Sequence, residues 1–375
     1  MRSVSIIGAG RIGTLITRLL QSTGEYRILL IDQDSDALAE LEKLPGVSTL
    51  RLMAEDQAAL QGPISQSEVV ISACGYRSNP AIARAAAEAG ISYFDLTEDI
   101  ATTREIEAIA AEAVEGQIFV PQCGLAPGFI GILGNHMAAR FEKLDTLKLR
   151  VGALPEFPSN HLMYNLTWST EGLINEYCNP CHAIRAGQLV ELTPLEGLET
   201  FSLEGTSFEA FNTSGGLGTL CETLQGRVMD LTYKTIRYQG HQYLMHFLIN
   251  DLRLGEQQAL LQQIIERAVA VTHQDVVLIM VTATGFRDGR FIQETDSRRI
   301  DHGELAGGHR GAIQIATASS LCTLVDLHFE KRLPQRGYVR QEQVDFNDFM
   351  ANRFAGCFRK RKRRRHHPTD QEDGL

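Results

Sequence analysis

The chain has 375 residues, 43% hydrophobic and 22% charged, which is long enough for two domains that each bury a core. Its formal net charge of −10 argues against nucleic acid or an anionic membrane as the main partner. Seven cysteines, an odd number scattered over a long chain, suit reduced thiols and predict a cytoplasmic protein.

The start, "MRSVSIIGAGRIG", is broken by glycines too early for a signal peptide, and no other apolar run reads as long enough to cross a bilayer. "SVSIIGAGRIGTLITRLL" predicts a short strand, a glycine turn and a helix with Ile12, Leu15, Ile16, Leu19 and Leu20 on one face. Gly8, Gly10 and Gly13, with Arg11 and Ile12 between them, fit G-x-G-x-x-G in the strand–turn–helix setting that a dinucleotide site requires. Gly8 permits the tight turn, Gly10 lets backbone amides approach a pyrophosphate, and Gly13 lets the helix lie close to the strand. The next strand, "YRILLID", ends in Asp32, about 20 residues on, where such folds carry the acid that binds the ribose. Gln33, Asp34, Ser35 and Asp36 follow it, with no cation to neutralise a 2′-phosphate, so the expected cofactor is NAD rather than NADP.

Strand–helix alternation then continues. "SEVVISACG" ends at Cys74 and Gly75, "NPAIARAAAEAG" is a helix opened by Pro80 and closed by Gly90, and "ISYFDLTED", "TREIEAIAAEAV" and "QIFVPQCG" follow as strand, helix and strand. This predicts an α/β fold whose first domain, residues 1–122, is a doubly wound Rossmann unit. Ligands bind at the carboxyl ends of such strands, which nominates Cys74, Gly75, Thr97 and Glu98 as pocket rim. By residue type alone, Cys74 reads better as a small buried apolar side chain.

After "GLAPGF" come short strands joined by Gly/Pro/Asn turns: "LDTLKLRVGALP", "NLTWSTEG", "HAIRAGQLVELTPL", "SFEAFNTSGG" and later "VVLIMVTATGF". They predict an α+β second domain with a mostly antiparallel sheet over residues 123–310. On the predicted strand "YNLTWSTEG", Tyr164 and Trp168 share a face, either as a core pair or as a substrate wall. Cys178 and Cys181 form C-x-x-C with only His182 nearby, too few ligands for a metal, so structural thiols are expected. "FNTSGGLGTL" lacks the ending of a phosphate loop, and its glycines let the chain pass close to a ligand or another backbone. On "YKTIRYQGH", Thr235 and Arg237 share a strand face. Arg237 offers a planar fork suited to a carboxylate, although the composition alone favours a solvated surface strand. "AIQIATASSLCTLVDLHF" reads as a strand leading into a helix, part of a segment 311–355 that returns to complete the first domain. Residues 359–375, a basic block and an acidic end, read as a disordered tail rather than a nucleic-acid site.

Taken together, "IIGAGRIG", "GLAPGF", "LPEFPSNHLMYNLTWSTEG", "EYCNPCHAIRAG", "FEAFNTSGGLGTL" and "YKTIRYQGH" resemble the saccharopine dehydrogenase family, most closely its lysine 6-dehydrogenase branch. The resemblance implies that Thr235 and Arg237 contact an amino-acid substrate, that Thr97 and Glu98 line the same site, and that the second domain both binds substrate and forms a homodimer. It implies oxidation of L-lysine at the ε-carbon, with NAD, to an imine that water hydrolyses to the semialdehyde and ammonia. Relatives that cleave saccharopine carry aspartate where this chain has Ala126 and cysteine where it has Val151, and both departures weaken that alternative. Hydride departs only when nitrogen can donate its lone pair, so the site must hold the ε-amine neutral. An apolar wall of Tyr164 and Trp168 would help, and Glu98 or His241 would take the proton. Glu98 could instead pair with the α-ammonium group. A dinucleotide-binding regulatory protein without catalysis is a third reading, disfavoured because a sensor needs no amino-acid pocket.

Overall fold

The structure, a computed structural model, describes residues 1–203 and 205–360. The tail expected over 359–375 lies outside the described residues from 361 onward; Arg359 is exposed, and Lys360 pairs with Asp296 at 2.9 Å.

The front third alternates β1 (Arg2–Ile7), α1 (Arg11–Ser22), β2 (Tyr26–Asp32), α2 (Ser35–Leu41), β3 (Val47–Arg51), α3 (Gln57–Ile64), β4 (Val69–Ser72), α4 (Asn79–Ala89), β5 (Ser92–Phe94), α5 (Ile100–Ala110) and β6 (Ile118–Val120). The strands pair in parallel in the order β6-β5-β4-β1-β2-β3. Helices cover both faces, which is why β1 and β4 are buried almost throughout instead of alternating between buried and exposed. The order reverses between β1 and β4, and in such sheets a crevice opens at that point. Leu15, Ile16, Leu19 and Leu20 of α1 are buried, as their spacing predicts.

The chain then forms α6 (Ile130–Ala138), β7 (Lys143–Pro155), α7 (Thr170–Cys178), the hairpin β8 (Cys181–Arg185) and β9 (Gln188–Leu192), and the hairpin β10 (Glu199–Leu203) and β11 (Thr206–Asn212). It continues through α8 (Leu220–Leu224), β12 (Val228–Tyr238), α9 (His241–His246), α10 (Gln258–Ala268), β13 (Asp275–Arg287) and β14 (Arg290–Asp301). The main path of this second sheet is β10-β11-β12-β7-β13-β14, with β8 and β9 branching from β12. Its pairs are antiparallel except β12 with β7. That parallel pair exists because α7 and two hairpins intervene, enough chain to bring β12 back in the direction of β7.

Two local expectations are corrected. "YNLTWSTEG" forms no strand: Tyr164 to Trp168 is extended coil with one bridge, Leu166 to Val271, and the chain turns at once into α7. Ser169 ends the coil because its Oγ accepts from the Gly172 amide at 3.1 Å and caps α7. Likewise, after the two-residue strands β15 (Gly303–Glu304) and β16 (His309–Arg310), "AIQIATASSLCTLVDLHF" is a single helix, α11 (Ala312–Phe329). The Asp275 carboxylate accepts from the Ala312 and Ile313 amides at 2.6 and 3.0 Å, satisfying donors that an uncapped helix would leave bare. Contrary to the reading of the sequence, α11 is also long and apolar enough to span a bilayer by length and composition. It is instead a core helix, packed against α1 and β13 and buried on every side, which removes the amphipathic period that marks a surface helix. β17 (Gly337–Tyr338) then adds to the edge of the first sheet beside β6.

One buried carboxylate ties these returning segments to the first sheet. Asp326 of α11, 1% exposed at its side chain, accepts from Tyr26 Oη (2.6 Å), Asn352 Nδ2 (2.8 Å), Arg353 Nη2 (2.8 Å) and Arg2 Nη1. Burial works against its charge, but hydrogen bonds from Arg353, Tyr26 and Asn352 hold it below the usual carboxylate range. Asp326→Ala leaves two guanidinium groups short of their anion and is expected to cost about 3 kcal/mol. Urea unfolding measures this, and a loss under about 1 kcal/mol would mark the network as no stronger than surface ion pairs.

Candidate functional site

The glycine turn has the shape its sequence predicts. Gly8 takes φ +104°, and a Cβ on Gly13 would lie 1.9 Å from the Gly8 carbonyl oxygen, so only glycine lets α1 pack this closely. A Cβ on Gly10, by contrast, would meet nothing within 4 Å, and no acid occupies the first turn of α1. The turn therefore presents open backbone and a helix N-terminus, which fits a pyrophosphate. Asp32 closes it from β2: Oδ2 accepts from the Ala9 amide at 2.5 Å and Oδ1 from the Asp34 amide at 2.8 Å.

A cleft of about 660 Å³ runs from this turn to the second sheet. Gly10, Arg11, Ile12 and Cys74 line it, whereas Gly8, Gly13 and Asp32 shape the turn without facing the cleft, and Gly75, just after β4, does not line it either. The Cys74 thiol donates to the Ile7 carbonyl at 3.3 Å and is pushed up by burial, then by the Asp32 and Glu55 charges; it is a packed wall rather than a nucleophile. Apolar walls come from Ala126, Val151 and Ala153, and Trp168 lines the cleft from the coil before α7. The long helix α11 contributes Ile313, Gln314 and Thr317, none of which stood out in the sequence.

Tyr233, Thr235 and Arg237 of β12 all face the cleft, so the solvated-strand reading of "YKTIRYQGH" is wrong. The strand is central, between β11 and β7, and Arg237 is only 2% exposed. Its Nε donates to Tyr177 Oη (3.0 Å) and Nη1 to the Ile236 carbonyl (2.9 Å), and its guanidinium stacks 5.3 Å from the ring of Tyr164. Burial opposes its charge, while Tyr177, Tyr164 and Glu176 favour it. Among the described residues no carboxylate comes within 4.0 Å of it. Tyr164 does not line the cleft; it is fully buried beside Arg237, and of the expected aromatic pair Trp168 alone lines the cleft.

The two proposed bases separate cleanly. His241 is fully buried outside the cleft, with Nε2 against Tyr177 Oη (3.0 Å) and Nδ1 against the Leu162 carbonyl (2.9 Å). Burial and then the Arg237 charge depress it to about 3, so it stays neutral and has no free nitrogen for a substrate proton. Glu98 does line the cleft, and burial, followed by the Asp99 and Asp95 charges, raises it to about 7 against the pull of its own backbone amide. Thr97 is buried out of the cleft; its Oγ1 accepts from the Asp99 amide at 3.1 Å and holds the turn that carries Glu98.

Glu176 is the residue the sequence reading missed. It lies on α7, lines the cleft, is 6% exposed and is raised by burial to about 8, with Arg237 pulling down and Glu98 pushing up. Nothing in the local sequence marks it, because a glutamate on a helix ordinarily faces solvent. Both glutamates bind a proton more tightly folded than unfolded, where the ordinary value is 4.5. Their stabilisation is complete below that value and lost as pH rises through about 7 and 8. Relative to a Glu98→Gln/Glu176→Gln protein, wild type should lose on the order of 5 kcal/mol between pH 5 and 8. Chemical unfolding at the two pH values checks this; parallel curves would mean that neither carboxyl is desolvated.

The family model for the saccharopine dehydrogenase NADP binding domain matches residues 4–120, and that for the saccharopine dehydrogenase C-terminal domain matches residues 124–361. The chain is 23% identical over 261 residues to saccharopine dehydrogenase [NADP(+), L-glutamate-forming] of Schizosaccharomyces pombe, covering 67% of this chain and 58% of that one. It is 24% identical over 206 residues to the mitochondrial alpha-aminoadipic semialdehyde synthase of Mus musculus, covering 51% of this chain and 21% of that protein. The matches thus span little more than half of one curated relative and about a fifth of the other. Among solved structures, apo saccharopine dehydrogenase (L-Glu forming) from Saccharomyces cerevisiae superposes with a TM-score of 0.77 at 15% identity, over 93% of this chain and 96% of that one. With a Rossmann unit and a mixed-sheet unit each matched along its length, the chain belongs to the saccharopine dehydrogenase family.

Proposed function

We propose that the chain is a dehydrogenase acting at a carbon–nitrogen bond of an amino acid, with L-lysine oxidised at its ε-carbon as the favoured reaction. One observation carries this: Arg237 is a buried, permanent cation that faces the cleft with no carboxylate within 4.0 Å among the described residues. Burying such a charge unpaired is costly, and an incoming α-carboxylate would complete it. The bound dinucleotide supplies the hydride acceptor. The chain's own contribution is to hold the substrate nitrogen neutral. Trp168, Val151 and Ala126 withhold water from it, and Glu98, raised to about 7, is poised to take its proton near neutral pH. Saccharopine, which the relatives' names give as their substrate, is the second reading. The apolar Ala126 and Val151 weigh against it, because both face the cleft where the departures from saccharopine-cleaving relatives fall.

The expected cofactor is NAD, because the Asp32 carboxylate at the tip of β2 favours a 2′-hydroxyl and repels a phosphate. NADP has support of its own. The family model and the fission-yeast relative carry NADP in their names, and Arg51, which pairs with Asp32 in the β2–β3 register, supplies a cation that the local sequence lacks. Arg51 Nε donates to the Gln33 carbonyl at 3.0 Å, which puts it at the same loop. Turnover with both cofactors decides between them: NAD should be preferred, and Asp32→Ala should move the preference toward NADP. Better use of NADP by wild type, abolished in Arg51→Ala, would reverse the assignment.

A screen of lysine, saccharopine and ornithine, following reduced-dinucleotide absorbance, should find lysine the best substrate. A hydrogen bond to a charged partner is worth roughly 1.5–3 kcal/mol, so Arg237→Ala should lower kcat/KM by about ten- to a hundredfold with dinucleotide affinity nearly unchanged. Arg237→Lys should restore only part, since an ammonium lacks the fork. Wild type should reject lysine amide strongly, and Arg237→Ala should not. A mutant that keeps the preference for acid over amide would show that the carboxylate is held elsewhere.

A further inference from the structure

We infer that Glu176 is the acceptor for the substrate's α-ammonium group, so that Glu176 and Arg237 together clamp a free zwitterionic amino-acid head. This rests on the carboxylate role of Arg237 proposed above and adds what the cleft demands of the neighbouring nitrogen. Three observations lead to it. First, the Glu176 carboxyl makes no hydrogen bond to any described residue, although the side chain is more than nine-tenths buried and faces the cleft. The residue is fixed from behind, since its backbone carbonyl accepts from the Ser214 amide at 2.9 Å.

Second, Glu176 and Arg237 influence each other's charge yet lie beyond 4.0 Å and form no ion pair. Arg237 cannot swing across to close the gap, because Tyr177, the Ile236 carbonyl and the Tyr164 ring hold its guanidinium. A guanidinium and a carboxyl that share a dry cleft and are held apart form an incomplete pair. An α-amino acid carries the complementary anion and cation on one carbon and satisfies both at once. In its absence the carboxyl remains raised to about 8, and an arriving ammonium supplies the counter-charge that lets it ionise.

Third, a separate group is available for the reacting nitrogen. A Cβ on Gly172 would lie 3.2 Å from Glu98 Oε1, so the Glu98 carboxyl reaches α7 one turn before Glu176, a spacing of about 5.4 Å along the helix. Glu98 comes from the end of β5, on the side of the dinucleotide turn, and Glu176 from the second unit, beside Arg237. Of the four glutamates that line the cleft, Glu171 pairs with Arg77 at 3.1 Å and Glu266 is exposed. The carboxyls of Glu98 and Glu176 remain, placed at successive turns of α7, and match a substrate with two nitrogens a few carbons apart, the head at Glu176 and the reacting amine at Glu98. The substrate class is therefore an α-amino acid with an unblocked α-amine and a second nitrogen on its side chain.

The test is calorimetric binding to the dinucleotide-free protein, with L-lysine and 6-aminohexanoate as probes, which differ only in the α-ammonium group. Wild type should favour lysine at least about tenfold, the worth of one hydrogen bond to a charged group. Glu176→Gln, which keeps the shape of the side chain, should bring the two probes to equal affinity. Glu176→Asp should keep part of the preference, an outcome that loss of packing alone would not produce. A wild-type protein that does not distinguish the probes, or a Glu176→Gln protein that keeps the full preference, overturns the inference and leaves the role of Arg237 intact. An Arg237→Ala protein that binds 6-aminohexanoate as well as wild type sinks the carboxylate reading instead.

Discussion

A guanidinium that cannot shed its proton is buried in the middle of a sheet, and much of the second unit is arranged around that fact. Arg237 sits on β12, Tyr177 on α7, Tyr164 in the coil before α7, His241 at the start of α9 and Phe211 on β11. Tyr177 holds Nε, Tyr164 offers its ring face, and His241 is kept neutral by burial and then by the fixed positive charge beside it. His241 then packs against the Phe211 ring at 6.3 Å as an ordinary aromatic wall. The coil before α7 and α7 itself therefore converge on one charge, with Phe211 and His241 packed against Tyr177. Because Tyr177 and the Ile236 carbonyl supply hydrogen bonds and Tyr164 a ring face, the guanidinium is rigid before any ligand arrives, and pre-organisation of this kind spares a binding site the cost of ordering it.

A second buried charge, of opposite sign, organises the other side of the cleft. Asp95, at the end of β5, accepts from the Thr97 amide, the Gln122 amide and Tyr93 Oη at 2.8–2.9 Å. Burial raises it to about 6 against these bonds. The same side chain thus fixes both the turn that carries Glu98 and the crossover that leads to Ala126 and Pro127. Glu98 faces the cleft because Asp95 holds the turn beneath it. Two interior charges, one per unit, set the two faces between which a substrate would lie, and α11 closes the crevice with Ile313, Gln314 and Thr317.

The local chemistry of the chain was readable where a short-range rule decides the outcome. Gly8, Gly10, Gly13 and Asp32 specify a turn whose geometry depends on residues within a few positions of one another. The alternation of β-branched runs and helical periods fixes a parallel sheet in the same way. The resemblance to the saccharopine dehydrogenase family rested on segments such as "FEAFNTSGGLGTL" and "YKTIRYQGH", and the family models match both units. Periodicity misled where its premise failed. α11 is buried all round and has no polar stripe, so its apolar run was split into a strand and a helix. Tyr164 and Trp168 lie on coil, where the two-residue strand period does not apply, and one went into the core while the other faced the cleft.

What the sequence by itself determined was the dinucleotide turn, the order of the elements and the identity of the charge on β12, because each is carried by contiguous residues. Only the tertiary structure decided burial, and burial is what converts residue types into chemistry. Arg237 reads as a surface residue until β7 and β11 flank its strand. His241 reads as a base until Tyr177 and the Leu162 carbonyl occupy both its nitrogens. Glu176 reads as a solvated helical glutamate until α7 is laid along the cleft wall. Arg51 becomes a neighbour of Asp32 only through the pairing of β2 with β3. For Arg237, His241 and Glu176 the deciding quantity is burial by segments far away in the chain, for Arg51 it is strand pairing, and no local pattern of residues encodes either.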